Sequence, residues 1–181
     1  PDGTPVAEYE DFTLDATIGD EGNDFGLVLP NGAKLGRGWL WWIDGTEWGG
    51  TVDAAAARTT NGDRRAGWQG RTWAGVLESR ILCPDAGESY LTAHGDASDE
   101  LRRVIARTAA GGVCAASAKQ SGIEVEHTYA RYVDAWTGVR SMLRESGARV
   151  DARWSAGRAV LGAVPAADYG SYMDDDLLDF D

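Results

Sequence analysis

Over roughly the first eighty residues the apolar side chains recur at every second position, and that period constrains the fold more than any other feature of the chain. Phe12, Leu14, Ala16 and Ile18 alternate with Asp11, Thr13, Asp15 and Thr17. Such alternation puts four apolar groups on one face of a strand and polar groups on the other. After a turn around residues 19–23, Phe25, Leu27 and Leu29 repeat the period until Pro30-Asn31-Gly32 stops it. Residues 38–44, Gly-Trp-Leu-Trp-Trp-Ile-Asp, are bulky on both faces. That is expected of a strand covered on both sides or lying at a subunit contact. Gly49-Gly50-Thr51-Val52-Asp53 opens another strand, and Asn61-Gly62 is a hairpin signal leading into a strand over residues 65–75. Short strands joined by glycine-rich turns predict a barrel or a sandwich.

The period changes in the middle of the chain. Leu101, Val104, Ile105 and Thr108 fall at helical spacing, with Asp96 or Ser98 able to cap the start and Gly111-Gly112 to end it. A second helix is expected after Asp134, with Ala135, Val139, Met142 and Leu143 on one stripe and Gly147 as its stop; Gly138 inside it costs about 1 kcal/mol. Residues 123–132 between them read as extended. Strand character returns at 149–154, and Gly157 turns the chain into a last strand over 159–164. The order predicts an α+β, mainly β fold: a β-barrel carrying an α/β insertion of two helices, with residues 1–87 and 148–167 in a discontinuous barrel and 88–147 in the insertion. A length of 181 residues suits one domain with such an insertion.

Charge narrows the function classes. Lys and Arg number 17 against 29 Asp and Glu, a net charge of −12. This balance argues against nucleic acid as the main partner, because phosphate binding needs clustered cations. Residues 1–53 carry eleven acids and two bases, whereas 98–153 carry nine bases and seven acids. Residues 168–181 add six Asp and no base and read as an acidic, solvated linker. No run approaches the roughly 18 apolar residues of a membrane span, and the first residues show neither a basic nor an apolar targeting segment. The chain as given is therefore expected to be soluble. Two cysteines cannot build a disulfide framework.

Catalytic signatures are missing: there is no nucleophile elbow, P-loop, dinucleotide-binding fingerprint or His-Glu-x-x-His. Cys83, Cys114, His94 and His127 lack zinc-site spacing and read as two mostly buried thiols and two turn or surface histidines. No cofactor is expected. Asp44, Glu47 and Asp53 lie near tryptophans, as a glycosidase's two carboxylates would, in a segment where acids are common. Trp39, Trp41, Trp42, Trp48, Trp68 and Trp73 all fall in the β region. They fit core packing or a subunit interface, and exposed indole faces would also fit a sugar platform.

The order of segments resembles the tail-hub proteins of long-tailed phages and prophages. The resemblance begins with Val6-Ala7-Glu8-Tyr9-Glu10-Asp11-Phe12 and the strand ending in Asn23-Asp24-Phe25-Gly26-Leu27-Val28-Leu29-Pro30. It continues through residues 38–44 and 47–53. Its most specific stretch is Gly70-Arg71-Thr72-Trp73-Ala74-Gly75-Val76-Leu77-Glu78-Ser79-Arg80-Ile81-Leu82-Cys83-Pro84. Residues 90–95, Arg131-Tyr132, Met142-Leu143 and 161–169 follow in the same order, so that essentially the whole chain is covered. The resemblance implies a non-enzymatic structural subunit of the virion tail tip or baseplate hub, connecting tail tube to the cell-attachment apparatus. It further implies a homotrimeric ring, with the distal tail protein and the tape-measure protein as partners. Because relatives continue past such an acidic linker, the chain is expected to be an N-terminal half. In a ring of head-to-tail contacts, one patch is expected to use Trp39, Trp41, Trp42 and Trp48. The other would use Arg103 and Arg107, with Arg102, Arg140 and Arg144, facing the acidic N-terminal region. A plainer alternative makes these arginines the wet face of an amphipathic helix. A carbohydrate-binding β-module contacting the host envelope is the alternative function.

Overall fold

The computed structural model describes residue 4 and residues 11–16, 23–28, 35–60 and 63–166. The expected turns at 19–22, Pro30-Asn31-Gly32 and Asn61-Gly62, most of the 6–12 motif and the acidic segment 168–181 lie outside the described residues. Strands β1 (Asp11–Ala16), β2 (Asn23–Val28), β3 (Leu40–Trp42), β4 (Gly49–Thr60) and β5 (Asp63–Thr72) form one antiparallel sheet in the order β1-β2-β5-β4-β3. The sheet curls into a half-barrel with β1 and β3 at its edges. The alternating segments thus become the strands that their period predicts, and the fold is α+β, mainly β.

The chain then departs from the sequence expectation. Residues 65–75 read as one strand, but β5 ends at Thr72 and helix α1 (Trp73–Glu78) follows. Thr72 is extended and its hydroxyl accepts the Gly75 N–H at 3.5 Å, which caps the turn. Trp73, Val76 and Leu77 then share the buried face. Six residues are too few for a helical period to stand out against the strand before it.

Next come β6 (Thr92–Asp96), α2 (Ala97–Arg107), a 3-10 turn at Ala110–Gly112, β7 (Cys114–Ala116), β8 (Glu124–Thr128), α3 (Ala135–Glu145), β9 (Ala148–Ser155) and β10 (Arg158–Pro165). β6 pairs antiparallel with β8. β10 pairs antiparallel with β9 across a turn in which Ala156 and Gly157 both have positive φ, and parallel with β7. Of the two possible caps, Asp96 starts α2, accepting the Ser98 N–H at 2.8 Å, and Asp134 starts α3, accepting that of Thr137 at 2.8 Å.

Two apolar cores result. The larger joins α1, α2 and α3 to the β7-β10-β9 sheet and to the β6-β8 pair, and includes Trp73, Leu77, Leu101, Val139, Met142, Leu143 and Leu161. The smaller gathers Phe25, Leu27, Trp41 and Val52 on the first sheet. β9 meets that sheet through a side chain: Trp154 stacks on Trp42 of β3 with ring centroids 4.4 Å apart, and on Trp73 of α1 at 5.8 Å.

Candidate interaction surface

The tryptophan hairpin is split by strand alternation. Trp41 is buried in the smaller core against Phe25, centroids 4.4 Å apart, and its indole N–H meets no protein acceptor among the described residues. Its neighbours Leu40 and Trp42 turn the other way and pack on the larger core. β3 is therefore covered on both sides, and Trp41 belongs to the core and not to an open surface. Trp42 is half-buried in the stack, with Nε1 donating to Asp44 Oδ1 at 2.8 Å. Trp39 precedes the strand and is 43% exposed; Trp48, past the turn, is 36% exposed. The Ile43 N–H donates to the Trp48 carbonyl at 3.0 Å and closes the hairpin. What reaches solvent is a pair of indoles beside the exposed acids Asp44 and Glu47.

The arginines of α2 named above, Arg102, Arg103 and Arg107, each have an acidic partner within the chain. Arg103 Nη1 donates to Glu100 Oε1 at 2.6 Å, one turn back on α2. The Glu100 carboxylate is 4% exposed and also accepts the His94 backbone N–H at 3.3 Å. Arg107 reaches Asp85 Oδ1 at 2.7 Å and the Cys83 carbonyl at 3.1 Å. Arg102 pairs with Asp99 and also donates to the Ser117 carbonyl at 3.1 Å. Local acids therefore already engage these three cations, which remain partly exposed. A shallow surface hollow between α2 and the β6-β8 pair is lined by Leu91, Thr92, Glu100, Arg103, Arg107 and Tyr129.

Asp53 sits where the β4-β5 register slips between Val52 and Ala54. Arg71 clamps it with both prongs, Nε to Oδ2 at 2.6 Å and Nη2 to Oδ1 at 2.8 Å. These hydrogen bonds outweigh partial burial and, with the charges of Arg71 and Arg37, hold the Asp53 carboxyl below its usual range. Of the three acids that could have served a glycosidase, Asp53 is tied to a guanidinium and Asp44 accepts from an indole.

Cys114 is buried, and burial pushes its thiol up to about 12 despite the nearby Arg80. Cys83 is exposed, contrary to the expectation of two mostly buried thiols. His94 lies on β6 and is a surface residue, as expected, whereas His127 lies on β8 with its side chain buried and Nδ1 2.6 Å from Glu145 Oε2. Among the described residues no three His, Cys, Asp or Glu side chains are grouped to hold a metal, and no helix is long and apolar enough to cross a membrane.

No protein-family model matches the sequence, and no curated protein matches it. The structure is similar to that of the tail protein from Neisseria meningitidis MC58, with a TM-score of 0.54 and 19% identity. That likeness shows the fold. It covers 91% of this chain and 49% of the other, so the chain spans about half the length of the protein it matches.

Residue spacing gives no sign that Ile81, Tyr90 and Tyr132 are 51%, 56% and 57% exposed. In the sequence the Arg131-Tyr132 pair reads only as the end of a strand. Tyr132 has φ +58, a left-handed conformation that no sequence period announces.

Proposed function

We propose that the chain is a structural subunit of a phage or prophage tail, placed at the tip or baseplate hub between the tail tube and the cell-attachment apparatus. The observation that carries this reading is the likeness in fold to a tail protein across nearly the whole chain. The ordered sequence motifs, above all residues 70–84, support the finer assignment to a hub. A subunit of this kind works through its interfaces and makes no chemical bond. In this reading the chain forms a homotrimeric ring in the virion tail and contacts the distal tail and tape-measure proteins. One patch holds Trp39 and Trp48; the other holds Arg103 and Arg107, whose ion pairs with local acids leave them to orient a neighbour more than to bind it.

Co-expression with the distal tail and tape-measure proteins of the same gene cluster tests the proposal. Mass photometry should find three copies of the chain per particle, and cross-linking should join it to both partners. A monomer that cross-links to neither would overturn it.

The exposure of Trp39 and Trp48 also favours a second reading, a sugar platform that contacts the host envelope. Addition of cell-wall polysaccharide would then quench tryptophan fluorescence. Unchanged emission at millimolar sugar removes this reading.

A further inference from the structure

The β6-β8 sheet has two strands and therefore two edges, which differ in what meets them. The Tyr129 N–H donates to the Leu91 carbonyl at 2.9 Å, and the Ala97 N–H to the Ile123 carbonyl at 2.9 Å. Both bonds continue the register that sets Thr92 opposite Thr128 and Asp96 opposite Glu124. Odd-numbered residues therefore bond across the ladder, and even-numbered ones point their N–H and C=O groups outward. On the β6 side the outward His94 N–H is met by the Glu100 carboxylate of α2 at 3.3 Å, and Asp96 runs directly into that helix. On the β8 side Glu124, Glu126 and Thr128 point outward, and their N–H and C=O groups have no partner among the described residues. A buried carboxylate thus closes one edge while the other stays open. Alternation sets the chemistry of the open edge. Ala93 and Val125 turn into the larger core, whereas Thr92, His94, Glu124, Glu126 and Thr128 are exposed on the opposite face. Glu124 and Glu126 stand two residues apart on that face, and neither pairs with a cation among the described residues.

We infer that the open edge of β8 takes up an extended segment of a partner protein that carries Lys or Arg at alternate positions and pairs with β8 as an antiparallel third strand. Unpaired edge N–H and C=O groups supply the main-chain bonds that such a strand needs. The partner residues opposite Glu124 and Glu126 share the exposed face with them, where opposite charges attract across the ladder and like charges repel. The residues between face the side on which Val125 is buried, so apolar groups fit there. A second copy of the chain is a poorer occupant, because two β8 strands paired about Glu126 would set carboxylate against carboxylate. Two strands are also fewer than a sheet needs for stability of its own, and a third extends the ladder. This edge includes none of the residues assigned above to subunit contacts.

The test titrates the intact 181-residue chain, labelled with nitrogen-15, with the synthetic peptide acetyl-Thr-Lys-Val-Lys-Val-Thr-amide. At saturation the amide signals of Glu124, Glu126 and Thr128 should shift, and their hydrogen exchange should slow by at least about tenfold. The same peptide methylated on both lysine backbone nitrogens, which would face β8, should bind at least about tenfold more weakly. So should the unmodified peptide to the double variant E124K/E126K, which should instead take up the peptide with Glu in place of Lys. Near-UV circular dichroism checks that the variant stays folded, and the methylated peptide probes the main-chain bonds in the unaltered chain. Equal binding of the methylated peptide, or binding that leaves the three amides unchanged, would overturn strand addition. Slow exchange at these amides in the free chain would overturn it as well. Protection that falls on dilution would then assign the edge to a second copy, and protection that persists would assign it to the chain itself.

Discussion

At Gly70 one hydrogen atom in place of a side chain lets β4 and β5 pair. A Cβ there would overlap the Thr51 carbonyl oxygen and come within 2.8 Å of Phe25 Cε1 and 2.9 Å of Asp53 N. The register slip that leaves Asp53 facing Arg71 lies at this point. Gly70→Ala should therefore cost about 2–4 kcal/mol, seen as a lower midpoint in urea; a loss below about 0.5 kcal/mol would contradict the close approach. Asp96 acts through charge. Besides the Ser98 N–H it accepts Ser121 N–H at 3.1 Å, Ser121 Oγ at 3.0 Å and Gly122 N–H at 2.7 Å. Burial alone would raise its carboxyl, yet the bonds from Ser121, Ser98 and Gly122 more than offset this and leave it lowered. A depressed folded value means that the contribution is complete above the unfolded value, about 3.9, and is lost as pH falls through the folded one. Native protein should therefore lose this stability below about pH 4. Asp96→Asn should start about 1–3 kcal/mol less stable at pH 7 and lack that part of the acid slope in urea melts from about pH 7 to about pH 3. Arg103 needs a related caution in interface work: Arg103→Glu would set a second carboxylate beside the buried Glu100, so weaker assembly in that variant would not by itself locate a contact.

Among the elements, α3 shows propensity giving way to packing. Gly138 lies inside the helix, where alanine would ordinarily gain about 1 kcal/mol. An added Cβ would come 2.9 Å from Leu82 Cδ1, 3.0 Å from Tyr129 Cδ1 and 3.2 Å from Val133 Cγ1. The helix approaches Leu82 and the chain around Tyr129 and Val133 more closely than an alanine allows. Gly138→Ala should thus destabilise by about 1–2 kcal/mol, and a rise in thermal midpoint would show that these neighbours give way instead. The helical stripe of α3 and its stop are legible in residue spacing alone, and Gly147 does take positive φ after the last turn. α1 is not legible in the same way, since one and a half turns give too few repeats to reveal a period. β7 escapes for the same reason, because Cys114–Ala116 is three residues with no alternation to count.

For the whole molecule, the tryptophans divide by what tertiary packing does with them. Trp42, Trp73 and Trp154 tie the two sheets together, Trp41 fills the smaller core, and of the hairpin's tryptophans Trp39 and Trp48 are the ones that reach solvent. Trp39→Ala and Trp48→Ala should therefore change unfolding stability by less than about 1 kcal/mol each. If the hairpin is a subunit contact, the same changes should weaken assembly at least about tenfold in dissociation constant, measured by sedimentation; unaltered assembly would remove these side chains from the interface.

The sequence alone determined the local period, the cap of α3 and the mainly β class, because each depends on neighbours a few residues apart. Phe12 to Ala16, Leu101 to Ile105 and Asp134 carry those instructions in their spacing. Tertiary structure decided which side of a strand is covered, which cations have local acids, and that β10 pairs with β7 across more than forty residues. Those outcomes depend on groups distant in the chain and close in space. One indole of Trp39, Trp41 and Trp42 could thus become core, another a bridge and the third a surface, although all three lie within four consecutive residues.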